Sequence, residues 1–230
     1  DGIFYIATGA ELAWFANHVN DGNYNSKGVL TADIDLSDFD WTPIGKAKAT
    51  AFSGELDGAG HTVSGLYING SANYSGLFGY ANNATIENLT VAGEVTTTGN
   101  YAAGIAAATD GTTSMTRCVS MTNVKAKQYA AGIAGYAYGS SQIDRCQNLG
   151  DITATSNYAA GITAYLYGAA GKLTNCHNDG TVTATGYVAT LVATSNAAAT
   201  IKHNLNTGKA VCTTTATTVG NVRATTTAAT

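Results

Sequence analysis

Four histidines (His18, His61, His177, His203) and four cysteines (Cys118, Cys146, Cys176, Cys212) are the obvious candidates for metal ligation or nucleophilic catalysis in this 230-residue chain. Their spacing supports neither. No His-Glu-x-x-His pairs two imidazoles with a general base, and no Cys-x-x-Cys has the usual spacing of zinc ligands. No Gly-x-Ser-x-Gly elbow lifts a serine onto a strained strand-to-helix turn. A cysteine nucleophile needs a lowered thiol pKa, and burial among apolar side chains raises it. In a secreted protein four cysteines could instead close two disulfides. Asp57 and His61 flank Gly58 and Gly60, so this stretch reads as a turn whose carboxylate accepts nearby amides. Asp33, Asp35, Asp38 and Asp40 could offer calcium several hard oxygens. Strand alternation places Asp33 and Asp35 opposite the core-facing Ile34 and Leu36, so solvated acids and turn caps are expected there. No catalytic residue, bound metal or cofactor is expected.

Composition narrows the field further. Charged residues make up 11% of the chain, against about 25% in an ordinary domain. Net charge is −4, which argues against nucleic acid, since phosphate binding needs a clustered basic surface. No run of about 18 apolar residues exists, so membrane insertion is not expected. The 27 glycines and single proline suit short strands and turns.

Internal repetition decides the architecture. Tyr-Ala-Ala-Gly-Ile occurs at 101–105, 129–133 and 158–162, and Gly76-Leu77 and Thr190-Leu191 hold the same place in weaker copies. A second column follows: Ile86-x-x-Leu89, Met115-x-x-Cys118, Ile143-x-x-Cys146, Leu173-x-x-Cys176 and Ile201-x-x-Asn204. A third holds Val95, Val124, Ile152, Val182 and Ala210. Three short strand-like stretches per unit of about 28 residues predict a solenoid, each coil burying its inward residues against the next. Leu77, Ile105, Ile133, Ile162 and Leu191 should point inward, with small residues two positions on. In this register Cys118, Cys146 and Cys176 replace Leu89 and read as core thiols. Thr8-x-x-Glu11 is a capping box that opens a helix over about 10–20, whose Leu12, Phe15, Ala16 and Val19 would cover the open end of the core.

Gly76-Leu-Phe-Gly-Tyr80, Ile86-x-Asn88-Leu89 and Gly93-x-Val95 together resemble the GLUG repeat of bacterial surface and secreted proteins. Leu30–Leu36, Trp41–Gly45 and Phe52–His61 resemble the segment that often precedes such repeats. The resemblance implies an all-β, right-handed parallel β-helix within a longer cell-surface or extracellular protein. It also implies adhesin-like relatives, and relatives beside protease domains that degrade immunoglobulin A. One solenoid domain is expected: a cap over 1–28, irregular first coils over 29–75, repeats over 76–212, and a ragged last coil or linker over 213–230.

On that fold, parity turns Tyr80, Tyr136 and Tyr165 outward in one column, with Tyr138 and Tyr167 two residues on. Tyr136, Tyr138, Tyr165 and Tyr167 should form a tile of about 4.8 by ~6.8 Å, from strand spacing and rise. Exposed tyrosines suit a host glycan or a protein surface. Tyr101, Tyr129, Tyr158 and Tyr187 form another column, assigned to packing. The outward Thr96/Thr98, Thr153/Thr155 and Thr183/Thr185 resemble an ice-binding ladder, but Lys125 and Lys127 interrupt it. A non-catalytic stalk or adhesive module joined to neighbouring domains is therefore the leading reading. A carbohydrate-binding or enzyme-accessory β-helix is the alternative, ahead of a polysaccharide-acting enzyme or ice binding.

Overall fold

The repeat columns of the sequence become hydrogen-bonded ladders in the computed structural model, which describes residues 2–168, 170–196, 198–213 and 219–225. The chain winds into an all-β parallel solenoid of about 7 turns, with one α-helix among the described residues. Every strand pair is in parallel register, because each coil follows its predecessor in the same direction around the axis.

Three faces enclose the core. The first is an eight-stranded sheet that stacks Leu56, Ile86, Met115, Ile143, Leu173 and Ile201 in one register. The second stacks Val95, Val124, Ile152, Val182 and Ala210. The third carries the tyrosines: Tyr74, Tyr101, Tyr129, Tyr158 and Tyr187 fall in register along its leading edge. Leu77, Ile105, Ile133, Ile162 and Leu191 are all buried, as are the small residues Gly79, Ala107, Gly135, Ala164 and Ala193. Each fully buried Ile or Leu contributes roughly 1.5–3 kcal/mol to the coil that carries it.

The corner between the first two faces is turned by Asn88, Arg117, Arg145, Asn175 and His203, all with φ between 52° and 56°. After each of the first four comes Leu89, Cys118, Cys146 or Cys176, and all of these are buried. The cysteines are free, and their thiols donate to Ile86 O, Met115 O and Ile143 O of preceding coils, so no disulfide staples the coils here. Burial pushes the Cys146 thiol pKa upward, and the Cys146–Cys176 hydrogen bond followed by burial does the same for Cys176. Neither is poised as a nucleophile.

A buried amide ladder explains the glycine in the second and third Tyr-Ala-Ala-Gly-Ile units, while at Gly104 of the first the Ser120 hydroxyl takes that place. Asn148 Nδ2 donates to Asn178 Oδ1 at 2.8 Å, and Asn178 Nδ2 to Asn206 Oδ1 at 3.2 Å. Each also donates to the carbonyl two residues on, Gly150 or Gly180. A Cβ at Gly132 or Gly161 would collide with the Asn148 or Asn178 side-chain oxygen, so glycine is required where the ladder passes beneath this face.

The helix spans Gly9–Asn20. Thr8 Oγ1 accepts from Glu11 N at 3.2 Å, and Glu11 Oε2 accepts from Thr8 N at 3.1 Å, completing the capping box. Leu12, Phe15, Ala16 and Val19 are buried over the first coil, where Phe15 packs edge-on against Phe52 and Phe52 against Phe78. Of the segment 213–230, residues 214–218 and 226–230 lie outside the described residues, and Val219–Thr225 adds a parallel strand to Tyr187–Asn196.

Candidate binding face

Strand register converts the tyrosine spacing into stacked columns. Along the leading edge, Tyr74, Tyr101, Tyr129, Tyr158 and Tyr187 stack with centroids 4.8–5.2 Å apart and planes within 17°. This column was expected to be packing, yet its rings are half-buried on the outside of the coil. The reason is the short strand: Ala102 and Ala130 fill the interior beside it, which turns the preceding tyrosine to the surface.

In the next column, Tyr136 stacks on Tyr165 at 5.1 Å and 5°. One position further, Tyr138 stacks on Tyr167 at 5.2 Å and 14°. Tyr136 and Tyr138 lie 6.4 Å apart with planes 13° from parallel, and Tyr165 and Tyr167 lie 5.4 Å apart. The structure thus brings the four sequence-derived tile residues together. Tyr138 and Tyr167 are each 42% exposed, while Tyr136 and Tyr165 are half-buried.

The first and second columns meet edge to face, at 87° for Tyr129–Tyr136 and 83° for Tyr158–Tyr165. The result is a herringbone, the arrangement the ring quadrupoles favour. Within each column, stacking covers most ring faces, so edges and hydroxyls meet solvent. Burial and neighbouring tyrosines push the Tyr129 phenol pKa up to about 12 and raise those of Tyr136 and Tyr165 as well.

Tyr80 belongs to the same column by register but is only 6% exposed. Its ring packs edge-on against Tyr74, its hydroxyl donates to Asp110 Oδ2 at 3.2 Å, and Lys48 Nζ lies 5.8 Å above it. Between Tyr80 and Tyr136 the column is broken by Ala108, in register with both. A notch of about 220 Å³ opens there, edged by Tyr101 and Tyr138 and reached by Lys48 and Asp110. Ala108 is not singled out by the sequence reading, although it follows Ala107 as Tyr80 follows Gly79 and Tyr136 follows Gly135. Lys48 sits in the irregular first coils, where no periodicity indicated it.

The other candidate groups are engaged separately. Asp33 Oδ1 accepts from Thr62 N at 2.9 Å and contacts His61 Nδ1 at 3.2 Å, which lowers its pKa. Asp35 Oδ1 caps Ser37 N at 2.9 Å. Asp57 Oδ1 accepts from Ala59 N and Asn88 Nδ2, both at 2.8 Å, and His61 N closes the turn on Gly58 O at 2.8 Å while its ring contacts Asp33. Among the described residues, Asp33, Asp35, Asp38 and Asp40 form no group of three or more that could hold a metal ion. Lys125 stands in register between Thr96 and Thr153, so the threonine ladder is broken as expected. No helix among the described residues is long and apolar enough to cross a membrane.

Comparison with known proteins bears mainly on the fold. No family model matches the chain, so the GLUG resemblance rests on the residues quoted above. A stretch of 92 residues is 41% identical to halomucin of Haloquadratum walsbyi, covering 35% of this chain and 1% of that protein. A crystal structure of a Bacteroides ovatus protein, provisionally named as an immunoglobulin A1 protease, superposes with a TM-score of 0.60. It covers 96% of this chain and 74% of its own at 18% identity, a likeness of fold. The chain is similar to a solenoid of that kind over nearly its whole length, and over a third of it to a sliver of halomucin.

Proposed function

We propose that this chain is a non-catalytic module of an extracellular or cell-surface protein, and that it adheres to a glycan or protein through its tyrosine face. The observation that carries the reading is the herringbone of tyrosines across successive coils. A stalk needs a continuous core but has no use for an aromatic surface of this regularity. Aromatic side chains concentrate binding energy, and the low charge of the chain favours a neutral partner over a polyanion. The partial likeness to halomucin supports a surface setting. A stalk role alone, or an accessory role beside an enzyme domain, is what remains if the face binds nothing.

The test is retention on a glycan and mucin array. Tyr136→Ala with Tyr165→Ala should abolish retention while leaving the circular dichroism spectrum intact, since neither ring lies in the solenoid core. Undiminished binding by the double variant refutes the tyrosine face as the contact.

A further inference from the structure

We propose that the break in the tyrosine column at Ala108 is a subsite for one pyranose ring of a neutral glycan, held against Tyr136 and Tyr138 with Asp110 and Lys48 as its polar contacts. The proposal rests on the adhesive reading of the tyrosine face and assigns that face a specific point of contact.

The argument starts from what stacking leaves uncovered. A ring inside a column has a neighbour on each side and offers a ligand only its edge. At Ala108 the succession fails. Ala108 and Asp110 occupy the positions that Tyr136 and Tyr138 fill in the following coil and Tyr165 and Tyr167 in the one after. Tyr136 therefore has Tyr165 on one side and no column partner on the other. Tyr138 has Tyr167 on one side and the short Asp110 side chain on the other. These two rings lie within 13° of parallel with centroids 6.4 Å apart and both border the notch, where a sugar ring's apolar face can pack.

Two coils separate Tyr80 from Tyr136, about 9.6 Å at ordinary strand spacing, and the rings in these columns stack at about half that distance. The notch over the buried Ala108 has a volume of about 220 Å³, the scale of a single hexose rather than a longer oligosaccharide, and is bordered by Tyr101, Tyr136, Tyr138 and Lys48.

Polar groups converge on the notch. Asp110 Oδ2 accepts from the Tyr80 hydroxyl at 3.2 Å and lies 3.8 Å from Lys48 Nζ. Asp110 Oδ1 accepts from Gly111 N at 2.7 Å, which fixes the carboxylate. The Lys48 side chain is 71% exposed, so its ammonium can swing to a sugar hydroxyl while the carboxylate accepts another. An aromatic platform beside one acceptor and one donor is the chemistry that recognises a neutral pyranose. A quaternary ammonium would also suit tyrosine rings and a carboxylate, but it has no acceptor for Lys48 and would have to displace that cation from Asp110.

The test fills the gap. Ala108→Tyr completes the column with a residue the same position carries in both neighbouring coils, so it should fold like the parent. The parent and its variants are titrated by isothermal calorimetry with methyl pyranosides of glucose, galactose, mannose and their N-acetylamino forms, and with choline. The parent should bind at least one pyranoside, and Ala108→Tyr should abolish that binding although it adds a tyrosine to the face. Ala108→Ser, which keeps the gap open, should bind like the parent. Asp110→Asn should weaken binding by roughly tenfold, the ordinary worth of a hydrogen bond to a charged group. If Ala108→Tyr keeps pyranoside binding while Tyr165→Ala with Tyr167→Ala loses it, the notch is refuted and the face reading stands. Choline binding without pyranoside binding overturns the sugar assignment. A parent that binds neither the pyranosides nor any glycan on the array overturns both.

Discussion

Arg145 turns a corner that most side chains avoid. Its φ of 52° lies in the left-handed region, where a Cβ crowds the following carbonyl at a cost of roughly 1–2 kcal/mol. The equivalent corners use Asn88, Arg117, Asn175 and His203, so the backbone requirement is constant while the side chain varies. Asparagine is the residue that visits this region most readily after glycine, whereas arginine and histidine are held there by the coils on either side. Arg145 carries an ion pair with Asp144 at 3.4 Å, and at 60% side-chain exposure it adds little. Arg145→Asn and Arg145→Gly should therefore stay within about 1 kcal/mol of the parent. Arg145→Val should lose roughly 1–2 kcal/mol, because a β-branched side chain is least compatible with positive φ. Urea denaturation of the three variants measures this, and equal midpoints for Val and Gly would contradict it. The corner was only partly legible beforehand. The Asn88 and Asn175 positions announce a turn by their residue type, but nothing in Thr116-Arg117-Cys118 or Asp144-Arg145-Cys146 announces a left-handed backbone.

At the level of the strand and its ladder, the tyrosine columns tie stability to alkaline pH. The Tyr129 phenol has its pKa pushed up to about 12, first by burial and then by Tyr101, Tyr158 and Tyr165. Tyr74, Tyr80, Tyr136 and Tyr165 shift the same way, each first through burial. An unfolded chain titrates tyrosine near 10. The folded state thus keeps protons that the unfolded state has released, and the associated stability is full below about pH 10. It is lost as pH climbs from there toward 12. Melting temperature, followed by circular dichroism from pH 8 to 12, should hold steady and then fall, with phenolate absorbance lagging behind that of free tyrosine. Tyr129→Phe should flatten part of the fall. A melting temperature unchanged to pH 12 would contradict the shifts. The second column's outward orientation was readable from strand parity around Tyr136 and Tyr165. The first column was not, because parity fails at the bend after Ala103, where two short strands replace one long one.

For the whole molecule, a period of about 28 residues settles the architecture, since only a solenoid satisfies three apolar columns in constant register. What periodicity could not convey lies where it stops: Lys48, on the short turn Lys48–Thr50 of an irregular coil, reaches Asp110 two coils away by register. The parallel ladders also fix how the molecule answers a mechanical load. Its strands lie across the long axis and the hydrogen bonds between coils lie along it. Tension between the two ends therefore concentrates on the outermost coil and opens its bonds in succession, as a zipper does, instead of shearing a whole sheet at once. Each coil that peels away lengthens the chain by roughly 90–100 Å, from the reach of about 28 extended residues, in place of the ~4.8 Å it occupied when wound. Optical-trap pulling should record a train of small, nearly equal extensions of that size, and a single rip across the whole domain would contradict it. A tether that yields in this way spools out at low force and rewinds when slack returns, while coils deeper in the stack keep their tyrosines in place.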